Sequence, residues 1–186
     1  MEKDNDINKS YEIKTFPVPL AFNKNKKNTV TTNHSSKSSN EEVIKQALKF
    51  HSQGNFKEAA KYYKHCIKQG INDHRIFVNY GLILKDLGML KEAELFTRKS
   101  IQFKPDYAEA HAHLGMILKG LGKSNEGELS MRKAIELKPD FADFYSNLGN
   151  ILHDIGDLKE AEKSYRKAIQ INPKFPVAHY NLGKLL

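Results

Sequence analysis

Residues 145–175 have the sequence YSNLGNILHDIGDLKEAEKSYRKAIQINPKF. A related stretch, AHLGMILKGLGKSNEGELSMRKAIELKPDF, occupies residues 112–141 and aligns with the first at an offset of 34 residues. Three residue series keep this spacing: Gly81, Gly115, Gly149 and Gly183; Gly54, Gly88, Gly122 and Gly156; and Pro105, Pro139 and Pro173. Because separate series share one period, the pattern predicts similar structural units that stack on their neighbours.

The two quoted stretches resemble tetratricopeptide repeats (TPRs), a family of 34-residue helix–turn–helix units. With Leu-Gly placed at positions 7 and 8, the units are 40–73, 74–107, 108–141, 142–175 and a partial fifth, 176–186. The resemblance covers about four-fifths of the chain. It implies an all-α fold: an α-solenoid that curls into a right-handed superhelix, with first helices on the concave side and second helices on the convex side.

Glycine and proline positions predict where the helices end. Glycine at position 15 adopts a left-handed cap at little cost, and proline at position 32 stops a helix because it lacks a backbone donor. The predicted helices are 41–53, 56–69, 74–87, 90–103, 108–121, 124–137, 142–155, 158–171 and 176–186. Glycine at position 8 and small residues at positions 20 and 27 mark the expected helix contacts. Gly127, which replaces Ala at position 20, is expected to loosen its helix slightly.

The two ends of the chain depart from the repeat. Residues 1–39 are polar and low in complexity, which predicts a disordered tail with one short apolar segment, Thr15–Phe22, that could dock on the solenoid or on a partner. The partial fifth unit would leave four apolar side chains partly open: Tyr180, Leu182, Leu185 and Leu186. A truncated chain, further protein after it, or self-association through this uncapped helix would each account for that exposure.

Composition favours some function classes over others. The net charge is +8, but only 4 of the 30 basic residues are arginine and the charge is spread along the chain, which disfavours nucleic acid as a partner. The single cysteine, Cys66, excludes an intramolecular disulfide. We expect a cytoplasmic protein without membrane contact, of the kind found in bacterial TPR chains, because neither a leader nor an apolar run of about 18 residues is present.

The resemblance implies that partners bind mostly at positions 2, 5, 6, 9, 12 and 13 of the first helices. Position 6 carries an amide in most units, and an amide offers one acceptor and two donors, so a ladder of amides can hold the backbone of an extended peptide. The series is similar to the asparagine ladder of O-linked N-acetylglucosamine transferase. The predicted partner-binding residues are Asn79, His113, Asn147 and Asn181 at position 6, Asn150 at position 9, and Lys85 and Lys119 at position 12. The alternative is that asparagine at position 6 serves only solvation.

No catalytic, cofactor or metal site is predicted. His111 and His113 are two residues apart and point to different sides of a helix, whereas helical metal pairs need a spacing of three or four. His111 and His179 occupy position 4, where we expect packing residues. The leading interpretation is a non-enzymatic protein-interaction scaffold with a protein or peptide partner. The alternative is the substrate-recruiting part of a larger or truncated glycosyl-, methyl- or sulfotransferase.

Overall fold

A computed structural model describes residues 34–186 of the chain. The predicted tail up to residue 33, including the segment Thr15–Phe22, lies outside these residues. Every regular element in the described part is an α-helix: α1 (His34–Ser52), α2 (Phe56–Lys68), α3 (His74–Asp86), α4 (Leu90–Phe103), α5 (Ala108–Gly120), α6 (Ser124–Leu137), α7 (Ala142–Ile155), α8 (Leu158–Ile171) and α9 (Pro176–Leu185). These bounds match the predicted ones to within one residue, except at the start of α1.

The first helix begins earlier than predicted. α1 starts at His34 instead of residue 41, so residues 34–39, which were assigned to the tail, are helical. The polar composition of this stretch suggested disorder, but it contains neither glycine nor proline. Adding residues to an existing helix costs far less than nucleating one, and α1 is already anchored by Ile44 and Ala47 in the core. The prediction for residues 34–39 is corrected accordingly.

Left-handed glycines separate the helices of each unit, as predicted. Gly54, Gly88, Gly122 and Gly156 have φ angles between 73° and 91°. The next helix starts directly after the glycine. In two units a side chain caps it: Asn55 Oδ1 accepts from the Glu58 N–H, and Asp157 Oδ1 accepts from the Glu160 N–H. Such short turns bring consecutive helices side by side.

The helices stack in chain order, and each packs on the one before and the one after. First helices also contact one another, α3 with α5, α5 with α7 and α7 with α9. No comparable contact joins α4 to α6 or α6 to α8 within residues 34–186. The first helices therefore lie on the inner, concave side of this α-solenoid and the second helices on the outer side.

Small residues occupy the places where the two helices of a unit touch. The position-27 residues are fully buried, as are the three alanines at position 20: Cys66, Ser100, Ala134 and Ala168; Ala59, Ala93 and Ala161. A Cβ added to Gly81 would lie 2.6 Å from Thr97 Oγ1, and one added to Gly149 would lie 2.4 Å from the Tyr165 ring. Glycine at position 8 is therefore required by close packing in these units.

The third unit has glycine on both sides of the contact between its two helices. A Cβ on Gly115 would lie 2.9 Å from the Gly127 carbonyl oxygen, and a Cβ on Gly127 would lie 2.8 Å from the Gly115 carbonyl oxygen. The two glycines thus let the backbones of α5 and α6 approach each other directly. Gly127 thus permits a closer contact between the two helices. The slight loosening of α6 stays a prediction.

The outer side carries an ion pair that recurs in three successive units. Glu94–Arg98, Glu128–Arg132 and Glu162–Arg166 lie at 2.8–2.9 Å, four residues apart on α4, α6 and α8. Such exposed pairs contribute at most about 0.5 kcal/mol each. Among the helices between residues 34 and 186, none combines the length and the apolar character needed to cross a membrane.

Candidate functional site on the concave face

The position-6 residues stand on four successive first helices: Asn79 on α3, His113 on α5, Asn147 on α7 and Asn181 on α9. All four are partly buried. They differ in what they already contact. Asn79 lies near the Tyr63 hydroxyl, whose pKa is raised by burial and lowered in part by this amide. Asn147 has no side-chain hydrogen bond to any residue in the described part of the chain, so its donors and acceptor are free.

Asn150 and Asn181 are joined in a hydrogen-bonded cluster. The Asn181 side-chain amide donates to Asn150 Oδ1 at 2.9 Å, and the Tyr165 hydroxyl donates to the same oxygen at 2.9 Å. Both lone pairs of that oxygen are thereby used. Asn150 therefore has only its side-chain NH₂ group left for a ligand, and Asn181 has its Oδ1 and one N–H.

A small polar pocket of about 130 Å³ lies beside this cluster. It brings together three of the seven predicted residues, Lys119, Asn150 and Asn181, from three first helices. His153, Asp154, Tyr165 and Lys184 also line it, and these were not predicted. A usable signal existed for His153, Asp154 and Lys184, which stand at positions 12, 13 and 9 of their units. Tyr165 belongs to a second helix, which the positional rule does not cover.

The predicted lysines are already paired with carboxylates. Lys119 Nζ lies 2.8 Å from Asp154 Oδ2, which joins α5 to α7, and Lys85 Nζ lies 3.2 Å from Asp86 Oδ1. The acidic partners stand at position 13 of their units. The positive charge of each lysine is therefore balanced by a neighbouring carboxylate, and neither lysine is an unpaired cation that would attract an acidic ligand.

His113 is held neutral. Burial lowers its pKa to about 4, with a further lowering by the Lys85 charge that Glu109 and Asp86 only partly offset. A neutral imidazole has one donor and one acceptor nitrogen. His113 can therefore serve in the amide series as a mixed donor and acceptor, although it breaks the run of asparagines.

The position-4 histidines behave differently from the packing role expected. His111 Nε2 donates to the Pro105 carbonyl oxygen and His179 Nε2 to the Pro173 carbonyl oxygen, each at 2.8 Å. Both side chains thus donate to the carbonyl of the proline that follows the C-cap of the preceding helix. Within residues 34–186 no three His, Cys, Asp or Glu side chains are grouped in a way that could hold a metal ion.

Models of tetratricopeptide repeats match most of the described chain. One matches residues 42–69, 74–107 and 108–141, a second matches 131–163, and a TPR repeat model matches 149–186. No curated protein matches the sequence.

Solved structures of TPR proteins have the same fold. A crystal structure of MamA is 26% identical over 75% of this chain and 81% of that one, with a TM-score of 0.67. YrrB, described as a TPR protein with an unusual peptide-binding site, is 22% identical over 81% of this chain and 76% of its own, with a TM-score of 0.70. The first TPR of Spaghetti (RPAP3), bound to an HSP90 peptide, is 20% identical over 61% and 90% of the two chains, with a TM-score of 0.59. With its 34-residue period, its stacked helix pairs and these matches, the chain belongs to the tetratricopeptide-repeat family.

Proposed function

We propose that this protein is an interaction scaffold that holds an extended peptide along the concave face. The observation that carries the proposal is the series of polar side chains at position 6, in which Asn147 keeps a free amide and His113 a neutral imidazole. A repeated array of paired donors and acceptors is complementary to an extended peptide backbone, which presents one of each per residue.

The charge arrangement favours backbone recognition over recognition of an acidic ligand. Lys119 and Lys85 are paired with Asp154 and Asp86, so a ligand gains little net electrostatic attraction on this face. We therefore expect the affinity to depend weakly on ionic strength, in contrast to binding that rests on long-range charge.

The relatives support this class of function. RPAP3 is described with a bound peptide and YrrB with a peptide-binding site. Both share the helix stack with this chain, and their identities of 20% and 22% carry the fold but not the partner.

Affinity capture with the full chain tests the proposal. Asn79, Asn147 and Asn181 are each changed to Ala, singly and together, and captured proteins are compared with those of the unaltered chain. Asn125→Ala is the matched control, because Asn125 is an exposed asparagine on the second helix α6. We expect loss of partners in the triple variant and none in the control. An unchanged partner set in the triple variant rules out the concave face.

Other interpretations receive less support. None of the relatives described above is a transferase, so the alternative of a substrate-recruiting portion gains nothing from the comparisons. The lack of catalytic activity, the bacterial origin and the cytoplasmic location stay predictions from the sequence. Nucleic-acid binding would show a steep decrease of affinity with salt, and a flat dependence would exclude it.

We also propose self-association through α9. Val177, Tyr180 and Leu186 are 51%, 67% and 80% exposed, and no atom lies within 4 Å of a Cβ built on Gly183. Burying such side chains against a second copy would be favourable. Light scattering of the full chain should give a mass that rises with concentration and falls back in Tyr180→Lys. A constant monomer mass would contradict the idea.

A further inference from the structure

An open crevice lies on the outer side of the solenoid, between α4 and α6, with α5 as its floor. Its volume is about 470 Å³. Ile101, Leu114 and Leu129 give it an apolar lining, and Leu129 is 70% exposed. Arg98 and Lys133 also line it. Among its lining residues, which all fall within residues 34–186, none is acidic.

The crevice exists because this level of the stack lacks aromatic rings that the preceding level has. At the same positions 34 residues earlier stand Phe77, Tyr80 and Phe96, whereas the crevice has His111, Leu114 and Ser130. In the preceding unit the rings fill the space between the helices, with centroids 6.4 Å apart for Phe77–Phe96 and 4.9 Å apart for Tyr80–Phe96. The open volume therefore corresponds to missing aromatic side chains.

Equivalent lysines in the two units have different neighbours. Lys99 Nζ lies 5.9 Å from the Phe77 ring centroid and 5.7 Å from that of Phe96, within the range of cation–π attraction. Its counterpart 34 residues later is Lys133, which lines the crevice and is paired instead with the exposed carboxylate of Glu136. A ring brought by another molecule would meet Lys133 as the internal rings meet Lys99.

We propose that the crevice binds an aromatic side chain of a peptide segment, with the ring between α4 and α6 in the place that Phe96 fills one unit earlier. Arg98 is paired with Glu94 and Glu126, and Lys133 with Glu136, so burial of the ring and not a new ion pair supplies the binding energy. This surface is separate from the concave face, and its occupant is recognised by a side chain rather than by its backbone.

Nuclear magnetic resonance on the ¹⁵N-labelled full chain tests this inference. The probe is an acetylated pentapeptide with a central phenylalanine flanked by two serines on each side. We expect saturable shifts of the backbone amides of residues 98–102 and 129–133. The same peptide with a central alanine should bind about tenfold more weakly or worse, since it lacks the anchoring ring.

Two variants borrow residues from the chain's own repeats. Ser130→Phe introduces the ring that Phe96 supplies one unit earlier, and Leu129→Lys introduces the residue found at position 163. Both variants should abolish the peptide-induced shifts of the backbone amides and keep the helical circular-dichroism spectrum. Leu95→Lys, the equivalent change one unit earlier and outside the crevice, should leave binding unaltered. No saturable shift, equal binding of the alanine peptide, or undiminished binding to both variants would overturn the proposal.

Discussion

Gly115 and Gly183 occupy the same repeat position but have opposite surroundings. Gly115, in the middle of the stack, faces the Gly127 carbonyl oxygen so closely that a Cβ would lie 2.9 Å from it. Gly183, on α9, has no atom within 4 Å of such a Cβ. The repeat thus places glycine by position, whereas its energetic importance depends on whether a second helix packs against it.

The same contrast extends to the other residues of the two regions. α5 buries seven residues, and α9 buries Ala178 alone. The end of the stack is held in part by hydrogen bonds, because Asn181 on α9 donates to Asn150 on α7. The middle is therefore stabilised mainly by close apolar packing and the end by fewer and more polar contacts, as expected when each unit contacts only its neighbours.

The largest expected effect comes from filling the middle contact. Gly115→Ala should lower the free energy of unfolding by about 2–3 kcal/mol, because the added methyl meets backbone that cannot move aside. Gly183→Ala is the matched control and should be neutral or stabilising by at most about 1 kcal/mol, since alanine favours the helix. Urea unfolding of both variants measures the difference. Equal effects of the two changes would mean that the middle and the end are packed alike.

A pH experiment compares His113 in the middle with asparagine at the same position elsewhere. The unfolded histidine takes up a proton near pH 6.5, whereas the folded one does so only near 4, so the unfolded state binds more protons in between. Stability should therefore fall as the pH drops from about 6.5 towards 4, by about 1–2 kcal/mol from this group.

The control for the pH experiment is His113→Asn. Carboxylates with lowered pKa values that do not interact with His113, such as those of Asp73 and Glu94, also cause a loss of stability on acidification. Their contribution is common to both proteins and cancels in the comparison. Unfolding in urea at pH 7 and at pH 4.5 should show a smaller loss for the variant. An identical loss in the two proteins would show that His113 is not held neutral.

The smallest expected effect concerns the hydrogen bonds near the end. Tyr165→Phe removes the hydroxyl that donates to Asn150 Oδ1 and should cost about 1 kcal/mol. Tyr145→Phe is the control, because the Tyr145 hydroxyl has no hydrogen bond to any described residue. Thermal unfolding measures both. If Tyr145→Phe lowers the stability as much as Tyr165→Phe does, the hydrogen bond from Tyr165 to Asn150 does not stabilise this end of the stack.

Much of the fold could be predicted because glycine and proline mark the helix ends. Gly156, for example, forms the left-handed end of α7 where it was expected. The start of α1 was missed because Ser and Asn before residue 41 give no such mark and only the packed part of the helix carries an apolar pattern.

The site was less predictable. Repeat position placed Asn147 and Asn181 on first helices. It could not tell which side-chain amide lacks a hydrogen bond, because the bond between Asn181 and Asn150 depends on side-chain conformations. The contact of His111 with the Pro105 carbonyl depends likewise on three-dimensional distance. The α4–α6 crevice follows from three smaller residues on two helices, a combination that no single motif reports.

The most direct test of the account follows the side-chain amide signals of Asn147 and Asn181 while a peptide recovered by capture is added to the ¹⁵N-labelled chain. We predict a large saturable shift for Asn147, whose amide is free, and a smaller one for Asn181, which already donates to Asn150. A peptide that binds tightly while the Asn147 amide signal stays in place would contradict the account.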